Sequence, residues 1–326
     1  MQQAAMPKNI PANQNSVKHT DRRSFVRRAA AAAAGISAAA VLRAGPVNYA
    51  RIDIHTHIGY PFLREDSLDT GRLLKWMDTN NIEAAVVLAL VSPEGFYYQI
   101  SNEHVLDSTK AHRDRLIPFV DIDPRQSYVD TNETIRARLE QYIEKGARGL
   151  GEHKCGVPID DPRNLEVFAA AGDLGLPILF HIDSERNTDR PGLPGLEKAL
   201  QAAPGAKFIG HAQGWWASVS GNCTQEELGI YPKGPVTPGG AVDRLFDTFP
   251  NLYGDLSAGS GNNAITRDRE WGREFLIRRA DRLLFGTDYL GVGQNVPQLD
   301  SLEKFDLPDQ VVKKISRRNA EKLLGL

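Results

Sequence analysis

Arg51-Ile52-Asp53-Ile54-His55-Thr56-His57 is the stretch that decides how this chain is read. Ile52 and Ile54 fall on one face of an extended segment and Asp53, His55 and His57 on the other, which is the two-residue period of a β-strand. Two imidazoles one residue apart on a strand project side by side, about 6–7 Å apart at their Cα atoms. Both then reach one metal ion at the roughly 2.0–2.1 Å of a Zn–N bond. Alone, His-x-His is equally what two half-exposed polar residues on an ordinary strand look like. The rest of the chain decides between the two.

Beyond that strand, short apolar runs alternate with amphipathic stretches of helical period. Further strands are expected over residues 84–91, 116–121, 147–152, 177–181, 207–211, 252–255 and 283–288. Helices are expected over 70–80, 102–113, 128–145, 164–174, 196–203, 242–249, 266–280 and 308–326. The 84–91 run has no polar alternation, as a strand buried on both faces in a parallel sheet requires. Gly146 supplies a helix stop after 145. Eight strands separated by helices predict an α/β fold, a (β/α)8 TIM barrel. An open doubly wound sheet is the alternative, but no Gly-x-Gly-x-x-Gly turn follows the first strand.

The expected strand ends are polar in a particular way. The first ends in His55 and His57, the fourth in Glu152, the fifth in His181, the sixth in His211 and the eighth in Asp288. The successive gaps of 95, 29, 30 and 77 residues span three, one, one and two βα units. That is the spacing of a barrel of about 250 residues, whose carboxyl-terminal mouth collects all six side chains. One polar strand end often just caps the next helix. Six residues of metal-ligand type at one rim point to a metal-dependent site.

The composition narrows the partners. Of 326 residues, 41% are hydrophobic, enough for a sizeable core, and the net charge is −2. Residues 1–44 carry seven of the 39 basic residues and only one of the 41 acidic ones, Asp21, so the remainder holds 32 against 40, a net −8. An acidic body disfavours nucleic acid and anionic membrane as partners, leaving a small-molecule substrate. Two cysteines, Cys155 and Cys223, are too few for a disulfide framework; both are expected at the mouth, where export would permit a pair.

Within residues 1–44, a polar start, expected to be disordered, precedes Arg22-Arg23-Ser24-Phe25-Val26-Arg27 and an alanine-rich apolar run to Leu42. That run is too short to span a membrane, which needs roughly 20 apolar residues. The pattern resembles a twin-arginine export signal, differing in the Asp21 before the pair; a basic amphipathic helix is the plainer alternative. It implies the twin-arginine translocase as partner, cleavage after Ala40 or Ala44, and a periplasmic or extracellular single domain over 45–326 with no membrane span.

Taken together, Asp53-Ile54-His55-Thr56-His57, Gly149-Leu150-Gly151-Glu152, Leu179-Phe180-His181, Ile209-Gly210-His211, Phe285-Gly286-Thr287-Asp288 and the ending Asn319-Ala320-Glu321-Lys322-Leu323-Leu324 resemble the amidohydrolase superfamily, in its amidohydrolase-2 branch. The first and fifth motifs are the specific ones; the likeness runs from Arg51 to Leu326. It implies a metal-dependent barrel in which His55, His57 and Asp288 hold a first divalent ion, Zn2+ before Mn2+ or Fe2+. His181 and His211 would hold a second, with Glu152 bridging; with one ion, His211 instead orients water or substrate. Asp288 is the expected proton acceptor. Lys154 shares the face of Glu152, and some relatives carry a carbamylated lysine on the fourth strand, but Glu152 needs no modification to bring charge.

Substrate contacts must come from loops. Arg186 and Arg190 follow the fifth strand as candidate anion holders or solvated charges, and Trp215 and Trp216 open the long Gly/Pro-rich 212–240 segment as an apolar wall or an anchor to the barrel. Asp53 is a candidate support for the histidines. The leading expectation is hydrolysis of a small ester, lactone or amide. The branch also contains non-oxidative decarboxylases, which typically lack the fourth-strand Glu, and a non-catalytic metal-binding module is the third reading; homo-oligomerisation stays open.

Overall fold

The computed structural model describes residues 49–60, 67–95, 99–126 and 132–326. The export segment expected within 1–44, and residues 128–131 of the third expected helix, lie outside the described residues. Among the latter, eight parallel strands run in sequence order around one sheet: β1 (Arg51–Thr56), β2 (Ile82–Leu88), β3 (Leu116–Val120), β4 (Gly149–His153), β5 (Pro177–His181), β6 (Lys207–His211), β7 (Leu252–Asp255) and β8 (Leu283–Leu284). The ring closes between β8 and β1. Ile54 N–H donates to Phe285 O at 3.0 Å, Asp288 N–H to His55 O at 2.9 Å, and His57 N–H to Tyr289 O at 3.0 Å. The fold is a (β/α)8 barrel.

Helices form the outer layer: α1 (Thr70–Thr79), α2 (Asn102–Thr109), α3 (Asn132–Glu144), α4 (Pro162–Asp173), α5 (Pro194–Ala202), α6 (Ala212–Ala217), α7 (Ala241–Thr248), α8 (Ala258–Thr266) and α9 (Arg269–Arg278), then short α10 (Gln298–Ser301), α11 (Asp309–Lys313) and α12 (Asn319–Leu324). Asp69, Ser101, Asp161 and Asp268 each cap a helix by accepting a backbone N–H. Among the described residues, no helix is long and apolar enough to cross a membrane.

Four expectations need correction. The last strand is a two-residue ladder rather than 283–288, because Gly286 to Asp288 leave it to form the mouth. The helix expected over 266–280 is α9, which starts where Asp268 caps it, and α8 precedes it where no helix was expected. The C-terminal helix is α11 and α12 joined by a π-helical turn, Lys314–Arg318. The 212–240 segment is not all loop; it begins with α6 and carries a 3-10 turn, Glu226–Gly229.

A fifth correction concerns the stretch that decided the fold. Ile52 and Ile54 do not face away from the histidines. They pack inside the barrel with Leu88, Phe119, Leu179, Ile209 and Leu284, contributed by five other strands and closed off below by Leu323 and Leu324. The register against β2 shifts between Asp53 and Thr56, a β-bulge that brings His55 round to the same interior. Asp53 makes the bulge self-sufficient. Its carboxylate accepts the His55 N–H at 3.0 Å, the Thr287 N–H at 3.0 Å and the Thr287 hydroxyl at 2.6 Å, tying β1 to the end of β8. Burial pushes its carboxyl up to about 7 against the pull of those donors. It supports the strand, not an imidazole ring.

β4 repeats the device. Its register against β5 shifts between Leu150 and His153, so Leu150 joins the outer core, Glu152 turns inward and His153 turns outward against Phe168 of α4. Gly151 permits this. Its φ is +143°, and a Cβ there would lie 2.7 Å from Leu179 O. Gly151→Ala should therefore cost at least about 1–3 kcal/mol from strain and overpacking. Urea unfolding checks this; an unchanged midpoint would show that the site tolerates a Cβ.

Candidate active site

Five of the six predicted ligands meet at the carboxyl-terminal mouth. His55, His57 and Asp288 place one donor atom each within 4.8 Å of one another, and so do His55, Glu152 and His211. His55 Nε2 lies 3.1 Å from His57 Nε2 and 3.4 Å from Asp288 Oδ1. Glu152 Oε2 is 3.7 Å from His55 Nε2 and 3.5 Å from His57 Nε2, while its Oε1 is 3.6 Å from His211 Nε2. His55, His57, Glu152 and His211 are buried; the Asp288 side chain retains 20% exposure and faces the opening. Backbone strain accompanies this rim. Ala212, Ala258 and Asp288, each just beyond β6, β7 or β8, have φ of 80°, 57° and 55°.

The orientation of the imidazoles comes from residues the sequence reading passed over. Asp255, the last residue of β7, accepts from His55 Nδ1 at 2.7 Å and from His211 Nδ1 at 3.1 Å, both on Oδ2. The Ser257 hydroxyl donates to the same oxygen at 2.7 Å and sits 3.1 Å from His211 Nδ1. His57 Nδ1 donates to Leu88 O at 3.1 Å. Each ring thus gives its one neutral-state proton outward and turns an Nε2 lone pair to the centre. The signal for Asp255 was present: a carboxylate ending the seventh strand, in the same place as the other ligand types.

The electrostatics of the centre suit a cation. Burial opposes charging of His55, but Asp288 and Asp255 outweigh it and hold its pKa well above the ordinary value. Burial also works against ionising Glu152, yet Lys154 and the surrounding histidines hold it well below the usual range. Asp288 is likewise lowered, by His55 and His57 against its burial. His211 is lowered, by burial and by the His55 charge. Two lone pairs 3.1 Å apart repel unless positive charge lies between them. With two ionised carboxylates beside them, the donor set fits a divalent ion.

The sequence profile of the amidohydrolase family, Amidohydro_2, matches residues 52–326. This chain belongs to the amidohydrolase family. The barrel is similar to a probable 2-pyrone-4,6-dicarboxylic acid hydrolase of Acinetobacter baumannii, 11% identical over 85% of this chain and 100% of that one, with a TM-score of 0.55. It is also similar to a 2,6-dihydroxybenzoate decarboxylase from Rhizobium (16% identity, 84% and 98% covered, TM-score 0.52). A third likeness is to the 5-carboxyvanillate decarboxylase of Novosphingobium aromaticivorans complexed with manganese (16% identity, 86% and 97% covered, TM-score 0.54). At these identities the likeness is one of fold. No curated sequence matches the chain.

Other predicted residues of this amidohydrolase stand elsewhere. His181 does not turn a free nitrogen to the centre: its Nδ1 pairs with Glu152 Oε1 at 2.6 Å and its Nε2 with Asp183 Oδ2 at 2.8 Å. Lys154 Nζ lies 3.5 Å from Glu152 Oε1, a counter-charge to it. Arg186 donates to Asp183 Oδ2 at 2.5 Å and to Glu94 O at 2.6 Å, so it braces the His181 partner. Arg190 is exposed. Trp215 and Trp216 form no wall over a substrate. Both are buried, Trp215 against Phe180 and Phe246, and Trp216 with its indole N–H on Asp255 O at 2.8 Å. Cys155 is buried beside His153, Asn164 and Asn187 and is not joined to Cys223.

Asp255 generates the sharpest prediction here. Asparagine carries no charge and must turn its NH2 either to the two rings or to the Ser257 N–H that Oδ1 accepts, so Asp255→Asn should weaken divalent-metal affinity about 10–100-fold. Competition with a chelating indicator measures it; wild-type affinity would show that the shared carboxylate does not orient the ligands.

Proposed function

We propose that this protein is a metal-dependent hydrolase of a small ester, lactone or amide, with Asp288 as the general base and acid. The observation that carries this reading is the position of Asp288: an ionised carboxylate 3.4–3.5 Å from two imidazole nitrogens and alone among the five in facing the opening. His55, His57 and Asp288 would hold one divalent ion, Zn2+ first, and His211 with Glu152 a second. When bound, such an ion polarises water and the acyl oxygen. Asp288 takes a proton from the attacking water as its oxygen bonds to the acyl carbon. The carbon–oxygen or carbon–nitrogen bond then breaks, and Asp288 returns the proton to the leaving atom. His181 and Lys154 keep Glu152 anionic, and His211 orients the water or the acyl group.

A non-oxidative decarboxylase of a small aromatic acid is the second reading. It is favoured by the pairing of both His181 nitrogens with carboxylates, which leaves that ring outside the ligand groups, and it agrees with the named activities of two neighbours. Acid release from ester and lactone substrates against carbon dioxide release from hydroxybenzoates separates the two.

Asp288→Asn keeps the shape but cannot accept the proton, so kcat should fall by about 10²–10⁴ with KM changing far less. Metal analysis should still find an ion held by the histidines. Substantial turnover by that variant with metal bound would move the base role to His211.

We also propose export through the twin-arginine route to the periplasm, on the strength of the Arg22-Arg23 motif. Changing both to Lys should trap the precursor in the cytoplasm; fractionation that finds undiminished periplasmic protein would refute it.

A further inference from the structure

The segment from Thr224 to Pro232 is held between the loop after β5 and α8. Gln225 donates to Asp189 O at 3.2 Å at one end, and Asn263 donates to Pro232 O at 3.2 Å at the other. Between them Gly229 sits so close to Ser184 that a Cβ would lie 2.6 Å from its hydroxyl, pinning the segment over the loop that carries Asp183.

Next on this strap come Ile230 and Tyr231, two of the few exposed large apolar side chains, 53% and 46% accessible. The Tyr231 ring lies on the first turn of α8, against Gly259. A Cβ at Gly259 would be 3.0 Å from the phenol oxygen. That turn starts immediately after Ser257, whose hydroxyl touches both His55 and His211. The phenol therefore stands at the rim above the ligand group. It makes no hydrogen bond to the described residues. Partial burial and the nearby charge of Asp288 both push its pKa up, so it remains a donor at neutral pH.

We infer that Tyr231 is a further catalytic residue: its hydroxyl donates a hydrogen bond to the acyl oxygen of the substrate whose leaving atom Asp288 protonates, and its ring forms one wall of the mouth. A purely packing role would need the ring alone, and half of this side chain packs on nothing. The geometry also bears on substrate class. A donor within electrostatic reach of Asp288, carried on a half-exposed aromatic ring, suits a flat acyl compound, an aryl ester or an aromatic-fused lactone.

This inference rests on the hydrolase reading, and the test separates the two. Metal-loaded wild type, Tyr231→Phe and Gly259→Ala are assayed on p-nitrophenyl acetate and dihydrocoumarin, with metal content and thermal midpoint measured in parallel. Loss of one donor to a developing oxyanion costs about 10²–10³ in kcat at a fully desolvated site, so at this half-exposed one at least ~10-fold is expected for Tyr231→Phe. KM, metal content and midpoint should stay close to wild type, since the ring is kept. Gly259→Ala retains the phenol but displaces it, and should lose kcat in the same direction by less. Wild-type kcat and KM for Tyr231→Phe, on a substrate the wild type hydrolyses, overturns the inference alone. Wild type that hydrolyses neither compound and instead releases carbon dioxide from hydroxybenzoates overturns the hydrolase reading and this inference with it.

Discussion

One carboxylate organises the mouth of this barrel. Asp255 is fully buried, and its Oδ2 receives the outward protons of two imidazoles that arrive on different strands, β1 and β6. Both nearby rings hold it well below the usual carboxylate range, against the cost of its burial. Leaving a buried charge without its partner costs about 3–5 kcal/mol, so the three groups hold one another in place. Trp216 fixes the backbone of Asp255 from α6, and Ser257 fixes the side chain from the strand end. Trp216 thus acts on the site from beneath, through the residue that aims the histidines.

The barrel was legible in the sequence because its signals are local and repeated. Apolar runs of strand length, separated by helical periods, need no tertiary knowledge, and β5, β6 and β7 fall at their expected bounds. The site residues were legible as a list, because ligand types stood at successive strand ends. Their facing was not. Strict alternation would put Ile54 opposite His55, yet both point inward, since a bulge inserts a residue between Asp53 and Thr56. The reading reached the right histidines through a regularity that the chain abandons at that point.

What stayed illegible depends on long-range pairing. Whether His181 offers a nitrogen to the centre depends on Asp183 and Glu152 closing on its two sides, and nothing in Leu179-Phe180-His181 reveals that. Asp53 was read as support for an imidazole, but its partners, His55 N–H and Thr287, lie two residues and a whole barrel away. The paired tryptophans open a glycine-rich segment and so looked like loop. Their burial follows from α6, a six-residue helix too short to leave a periodic trace.

The brevity of β8 has a mechanical consequence. Its two-residue ladder is with β7, and among the described residues that edge is attached to β1 by three backbone bonds and by Thr287, which clasps Asp53 and His55 O. Backbone amides there are shielded by few neighbouring bonds, so the joint between first and last strands is where the hoop would open with least work. His55, His57 and Asp288 sit on the two lips of that joint. An ion gripped by all three would act as a rivet across it, so occupancy of the centre and slow exchange of the Ile54, His57 and Asp288 amides would be expressions of the same bond.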